Sequence, residues 1–444
     1  MGKSLVIPMV LLLLLSMPLQ GAASQSSIAV GFDKKHGLPS TKFPALRKLL
    51  ESEGYVVKDV EGFSPDADVI IIVNQTSPLT EGELSELDSY VRSGHSVLIV
   101  RSVVGAAFNV WPSDELACTI KVIGGCDPFE TVANSTYFKY SRSVLVKGAY
   151  LKNLPANVLN LLLSKKVWVD RDKNGRRTEA DAEADKLVVM VGQVYGRGRV
   201  VISSAEFFND ALLTQLDNKL FVKELISWLL APSVAMKRYE EVRSKLSNFL
   251  GMRGDLERVG GNSSVLVGIA ANFERSLNDA MSKIDRGSSE EAINVLDDVD
   301  RKISTYMGFV SRLVVIETKL AEFSKYLEET KASEPNITLD VFFERLSKLN
   351  SEKKHLYERW SAGDISGANQ TASYILDELE KLRSETASNV TAQREMIRQK
   401  QEEQQRMMTT AIAALVVAAI VIAAVLLYRR RKEKVEVVIR PPGT

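Results

Sequence analysis

Residues 407–427, MMTTAIAALVVAAIVIAAVLL, form an unbroken uncharged run that stops at Tyr428 and the basic cluster Arg429, Arg430, Arg431 and Lys432. At about 1.5 Å per residue, some twenty such residues cover a hydrocarbon core roughly 30 Å thick, so the run predicts one transmembrane helix, 407–428. The alternative, a buried core helix, needs apolar cover on every side. The basic residues after the run, set against QKQEEQQR before it, predict that the tail 429–444 is cytoplasmic and that the bulk of the chain is outside.

The other terminus agrees. Residues 1–24 carry Lys3, an apolar run over 5–15 and the small residues Gly21, Ala22, Ala23 and Ser24, the pattern of a cleaved signal peptide. A retained N-terminal anchor is the alternative, disfavoured by the short apolar core and by Pro8 and Pro18. Together the two ends predict a single-pass type I protein of the cell membrane. Glycosylation sequons at Asn74, Asn134, Asn262, Asn336, Asn369 and Asn389 all fall in the expected exterior, where modification is permitted. The only cysteines, Cys118 and Cys126, either close a small disulfide loop on the oxidising side or remain two buried thiols. A formal net charge of +1 and the lack of a basic, aromatic-interleaved patch argue against a nucleic-acid surface.

From 25 to 231 the pattern is α/β. Strand-like SSIAVGF, YVVKDV, ADVIIIVNQ and HSVLIV alternate with helix-like FPALRKLLESEG and TEGELSELDSYVRSG, the latter opening with Thr80 and Glu83 in capping-box spacing. ADVIIIVNQ is apolar almost throughout, as a parallel strand buried on both faces must be. Such alternation predicts a doubly wound, mainly parallel sheet. Further strands are expected at 143–147, 166–169, 186–191 and 198–203, the last two joined by YGRG as a hairpin or strand-turn-strand, and a final helix at 216–230 ended by Pro232.

The opening IAVGFDKKHG, the run ADVIIIVNQ…LTEGELSELDSYVRSGHSVLIV and the closing YGRGRVVISSAEFFND…LDNKLFVKELISWLL resemble a domain family of membrane-anchored archaeal and bacterial proteins. That family is similar to the auxiliary domain of gliding-type ABC transporters and to GIFT domains, within the class I glutamine-amidotransferase-like superfamily. The resemblance implies a flavodoxin-like sheet, a prokaryotic and archaeal source, and a nucleophilic cysteine at a sharp turn after a strand with a histidine base later. Here the turn after HSVLIV reads RSVVGAAF without cysteine, and His36, His95 and His355 do not supply a late base. Ser102, a conceivable substitute nucleophile, has no G-x-S-x-G elbow around it. The chain is therefore expected to lack amidotransferase chemistry.

Two polar constellations remain. Asp33 and His36 follow the first strand at the carboxyl edge, where open α/β sheets bind ligands, and Glu206 and Asn209 after the last strand are expected to approach the same edge. Their alternative role is satisfying local backbone groups. The loop DRDKNGRRTEAD, 170–181, places Asp170, Asp172, Asn174 and Asp181 at positions 1, 3, 5 and 12 of a calcium-type loop, with Gly175 at the turn and the Arg176 carbonyl at position 7. Aspartate at position 12, where glutamate is usual, weakens the pattern, and KKVWV before it reads as a strand. A structural calcium ion and a solvated turn are the two readings.

From 232 to 406 the composition turns to Glu, Lys, Arg, Ser, Leu and Ala, predicting a helical or coiled-coil stalk with helices at 234–251, 263–285, 289–330, 338–361 and 368–406. GSSEEAINVLDDVDRK (287–302) and GANQTASYILDELEKL (367–382) align as a faint repeat. The function expected from the whole is a surface protein whose non-catalytic head serves binding or assembly, with the stalk a spacer, a surface that pairs with itself or with a protein partner, or an ordinary helical bundle packing only within itself. A membrane-tethered hydrolase using Asp33 and His36, or an accessory subunit of an ABC-type transporter, are the alternatives.

Overall fold

The computed structural model describes residues 27–121 and 125–436, so the expected signal peptide and the last part of the basic tail lie outside the described residues. The chain divides into two compact units, Met1–Phe249 with Ile269–Ser304, and Leu250–Gly268 with Thr305–Thr444.

The first unit is built on one mixed sheet of thirteen strands among the described residues. Its parallel part runs β2 (Val56–Val60), β1 (Ala29–Asp33), β3 (Val69–Val73), β4 (Ser96–Val100) and β12 (Gly198–Ser203), each strand parallel to its neighbours. Every residue of β3 is 0% exposed, as the near-continuous apolar run requires of a strand covered on both faces. Burying these five aliphatic side chains contributes on the order of 10 kcal/mol, as an upper estimate. The crossover helices are α1 (Pro44–Ser52) and α2 (Glu81–Arg92), and α2 begins with the capping box expected at Thr80 and Glu83.

Beyond β12 the sheet is antiparallel, which corrects the mainly parallel expectation to a mixed sheet. β11 (Val188–Tyr195) forms the expected hairpin with β12, pairing Tyr195 with Gly198. Gly196, at φ +62, takes the first central position of this two-residue turn. A Cβ on Gly198 would drive into the carbonyl oxygens of His95 and Val91. β8 (Leu159–Ser164), β6 (Phe129–Ala133), β7 (Ser143–Lys152), β5 (Trp111–Thr119), β9 (Val167–Asp170) and β10 (Ala182–Ala184) continue the sheet, and β13 (Ala205–Glu206) pairs with β7. β5, β6 and β8 were not legible because their apolar and polar residues do not alternate cleanly; β5 carries a register shift between Pro112 and Leu116.

After α3 (Asp210–Leu213), α4 runs Asn218–Arg258 and contains Pro232. The expected stop at Pro232 does not occur, nor does a break at GMRGD. A proline inside a helix costs about 3 kcal/mol. Burial on both sides of it offsets that cost: Phe221, Leu225, Ile226, Leu229 and Leu230 precede it, and Ala235, Val242, Leu246 and Phe249 follow, all at most 4% exposed. Lys237, beyond the proline, also binds Asp68 at the amino edge of the sheet, 2.9 Å away.

α5 (Ser264–Asp285) and α6 (Ser289–Ser333) follow. Within the first unit the turn between them is fixed to the sheet through Arg199 of β12. This guanidinium, 2% exposed, meets both Glu290 carboxylate oxygens at 2.7 and 2.6 Å, donates to the Trp228 carbonyl at 2.5 Å and lies 4.4 Å over the Trp228 ring. Burial alone would raise the Glu290 carboxyl, but the hydrogen bonds and charge of Arg199 outweigh it and hold the group below its ordinary value.

The second unit is helical, with α7 (Asp340–Ser361) and α8 (Ile365–Glu436) packed beside the later part of α6. Phe309, Leu313, Ile316, Leu320, Phe323 and Leu327 recur at intervals of three and four along α6 and are buried, as are Leu346, Leu349, Leu356 and Trp360 of α7. Glu317, 5% exposed, is compensated by Lys353 at 2.8 Å and the Tyr357 hydroxyl at 2.9 Å. The repeat is visible in burial only in part: Ala292 and Ala372 are both 0% exposed, but Leu376 is half-buried where Leu296 is fully buried. α8 packs through Ala368, Ala372, Ile375, Leu379, Leu382 and Val390, then continues unbroken through the apolar run. It is the one helix among the described residues long and apolar enough to cross a membrane, and none of its apolar window is buried.

Candidate functional site

Because β1, β3, β4 and β12 are parallel, their carboxyl ends share one edge of the sheet, and the residues singled out in the sequence sit along it. Asp33 ends β1 and is 0% exposed; one carboxylate oxygen accepts the backbone N–H of Lys35 (3.0 Å) and of Gly62 (3.2 Å), and the other lies 2.6 Å from His36 Nδ1. His36 is 1% exposed, and its Nε2 is 3.2 Å from Glu83 Oε1 without hydrogen-bond alignment. Its ring stacks on Phe63 at 6.2 Å. Glu83 in turn pairs with Lys35 and accepts the Thr80 N–H at 2.8 Å. The Lys35 hydrogen bond first, then that of Thr80, hold the Glu83 carboxyl far below its ordinary value.

Neighbouring loops are laced to this cluster. Thr76 N–H donates to the His36 carbonyl at 2.8 Å, and the Ser77 hydroxyl donates to the Lys35 carbonyl at 2.8 Å. Gln75 Oε1 accepts from the Ser102 hydroxyl (2.9 Å) and from the Val103 N–H (3.1 Å). Arg101, directly after β4, adopts a left-handed backbone with φ +52, and its guanidinium lies 3.6 Å from Glu206. The structure thus joins Asp33 to His36, pairs Glu206 with Arg101, and uses the Asn209 side chain to cap α3 by accepting the Leu212 N–H at 2.9 Å.

Chemically, an imidazole oriented by a carboxylate is the start of a general-base arrangement, but a base must reach the proton it takes. His36 is closed in by Asp33, Glu83 and Phe63, and the Ser102 hydroxyl is spent on Gln75. Asp33 acts as the acceptor that organises two loops. Arg101, Glu83 and Lys35 were missed in the sequence: Glu83 reads there only as a capping residue, and a lone arginine after a strand carries no motif.

The acidic loop joins β9 to β10, whose pairing of Val169 with Ala182 closes its ends. Carboxylate oxygens of Asp170, Asp172 and Asp181 come within 4.8 Å of one another. Asp170, 1% exposed, accepts the N–H groups of Asn174 (3.2 Å) and Gly175 (2.9 Å), and Gly175 turns at φ +72. Asn174 Oδ1 accepts the Arg176 N–H at 2.6 Å, and Asp181 accepts from Arg171 (2.9 Å) and Thr178 (2.7 Å). Burial alone would raise the Asp181 carboxyl, but these backbone bonds lower it. Lys173 leaves the loop to bind Asp114 at 2.8 Å, so this cation is not among the three carboxylates.

Cys118 and Cys126 are joined as a disulfide with Cα atoms 4.8 Å apart. Of the sequon asparagines, Asn262, Asn336 and Asn389 are exposed, whereas Asn74, Asn134 and Asn369 are half-buried.

No family model and no curated protein matches the sequence. Among solved structures, the N-terminal domain of mmIFT52 is similar at 12% identity over 46% of this chain and 96% of that chain, with a TM-score of 0.36. A putative ThuA-like protein from Parabacteroides merdae is similar at 12% identity over 46% of this chain and 89% of that chain, with a TM-score of 0.31. A β-galactosidase from Rahnella sp. R3 is similar at 10% identity over 45% of this chain, with a TM-score of 0.30, and the match spans only 31% of the galactosidase. At these scores the likenesses carry no argument about function.

Proposed function

We propose that the chain is a single-pass type I cell-surface protein whose mixed α/β head serves binding or assembly, held on a helical stalk with the basic tail in the cytoplasm. The observation that carries this reading is α8: its packed face ends at Val390, and the same helix continues into an apolar segment with every large side chain exposed, among them Leu415 at 70%, Ile420 at 62% and Leu427 at 66%. Each such side chain left in water forgoes about 1.5–3 kcal/mol, which a bilayer returns. Alkaline extraction of membranes should leave the full-length chain in the pellet. A variant carrying Val417→Arg and Val421→Arg, each charge costing about 2.5–3.5 kcal/mol at the helix centre, should be released. Release of the native chain by alkali would refute the reading.

Binding is favoured over catalysis because Asp33 and the Ser102 hydroxyl are committed to holding loops, and the His36 ring, whose Nε2 makes no aligned hydrogen bond, is buried behind Asp33, Glu83 and Phe63. An amidotransferase-like ancestry of the head, with a flavodoxin-like parallel half, is supported by the strand order β2-β1-β3-β4-β12 and by the left-handed turn at Arg101, where the resemblance puts a nucleophile. A calcium ion in the acidic loop is a second component of the proposal. Three carboxylates within 4.8 Å repel one another unless a cation lies between them, and the donor set is all oxygen, as a hard cation prefers. Calcium should then raise the unfolding temperature, and Asp170→Asn with Asp172→Asn should abolish the rise; a native protein indifferent to calcium would remove the ion from the account.

A further inference from the structure

The segment 139–143 lies along the start of α4, tied by its backbone. Glu224 accepts the N–H groups of Tyr140 (2.9 Å) and Ser141 (3.0 Å), and Asp217 accepts those of Arg142 (2.9 Å) and Ser143 (3.0 Å). Both acids are therefore turned inward and spent on backbone donors. What remains outward beside the segment is mostly basic and apolar: Lys139, Arg142 and Lys219 are exposed, beside them stand Tyr140 at 63%, Leu216 at 57% and Leu220 at 37%, and the exposed acid Glu53, which lines a cavity with Lys139, is paired with Lys223.

Leu216 is the unusual member. Its φ of +42 lies in the left-handed region, where a Cβ-bearing residue is held at a steric cost and glycine or asparagine is the ordinary choice. A leucine kept in that conformation and projecting into solvent gains nothing for the core, and strain of this kind concentrates at sites of function. Leu220 is four residues further along and four before Glu224, so the helix presents it on the flank beside the 139–143 segment.

We infer that this surface of the head binds an anionic lipid surface, with Leu216, Leu220 and Tyr140 entering the headgroup layer and Lys139, Arg142 and Lys219 meeting lipid phosphates. Protruding apolar side chains ringed by long cationic ones suit an interface that yields to them, whereas a protein partner would have to offer a matching acidic groove. The inference rests on the reading of the head as a binding module, and it can fail while that reading stands.

The test uses the full chain reconstituted in phosphatidylcholine nanodiscs and mixed with sedimenting vesicles of phosphatidylglycerol or of phosphatidylcholine. The nanodiscs should co-sediment with phosphatidylglycerol vesicles alone, less so as salt is raised. Near an anionic surface each cation contributes about a fivefold factor in affinity, so the neutralising variant K139Q/R142Q/K219Q should weaken co-sedimentation on the order of a hundredfold. Leu216→Gly, which relieves the backbone, should fold as well as the native chain and still lose binding. Equal sedimentation with both lipids, or native-level binding by the triple variant, overturns the inference. So does retention on an immobilised acidic polypeptide without co-sedimentation, which would assign the surface to a protein partner.

Discussion

Arg199 and Glu290 form an ion pair whose two halves are unequally buried, and this makes the consequences of breaking it unequal. The Arg199 side chain is 3% exposed and that of Glu290 is 54% exposed. Glu290→Gln removes the counter-charge from a guanidinium inside the protein, leaving it the Trp228 ring and the Trp228 and Gly287 carbonyls, and an uncompensated buried charge costs about 3 kcal/mol. Arg199→Met leaves a carboxylate that water reaches, keeps most of the stem packing on Trp228, and forfeits chiefly the hydrogen bond to the Trp228 carbonyl, about 1 kcal/mol. The double variant should cost about as much as Arg199→Met alone, giving a coupling energy of about 3 kcal/mol in a double-mutant cycle. Urea titrations of the full chain in detergent, read by hydrogen exchange at the β12 amides, measure all three. A larger loss for Arg199→Met than for Glu290→Gln, or additive losses, would show that the buried cation is not what ties the α5–α6 turn to the sheet.

Asp33→Ala should destabilise the head by about 3 kcal/mol, because buried donors at Lys35 and Gly62 and the His36 ring lose one acceptor; full stability with a lost activity would instead make Asp33 catalytic. Stability should fall in two stages on acidification. His95 is held below its ordinary 6.5 by burial, so its contribution is complete above about pH 6.5 and is lost as pH falls through the folded value. Glu83, lowered by the Lys35 hydrogen bond, and Asp217, lowered by the Ser143 and Arg142 N–H groups, contribute above their ordinary 4.5 and 3.8 and lose that contribution below. Calorimetry across pH should show both stages, and His95→Asn should remove the first.

The parallel half of the sheet was legible because residues such as Ile70, Ile71 and Ile72 are buried on both faces and leave a continuous apolar run, a signal that needs no partner to be read. The antiparallel half was not, since β5 and β6 take their burial from cross-strand neighbours distant in sequence; Thr131, polar and 0% exposed, satisfies its hydroxyl on the Val144 carbonyl. Pro232 misled for a related reason: local propensity marks a stop, and only the packing of Leu229 and Ala235 reveals why the helix continues. At the carboxyl edge, Asp33 and His36 were found by their place after a strand, but their burial and the partners Glu83 and Gly62 depend on chain folding back from afar. The clustering of Asp170, Asp172 and Asp181 in the acidic loop was legible, because their spacing is local.

The central claim is that α8 carries the chain across a membrane with residues before 407 outside and those after 428 inside. Single cysteines introduced at Ser384, exposed on α8, and at Thr444 can be probed in intact cells with a membrane-impermeant maleimide. The account predicts labelling of Ser384→Cys in intact cells and of Thr444→Cys only after permeabilisation. Labelling of Thr444→Cys in intact cells, or protection of Ser384→Cys until the cells are opened, would contradict it.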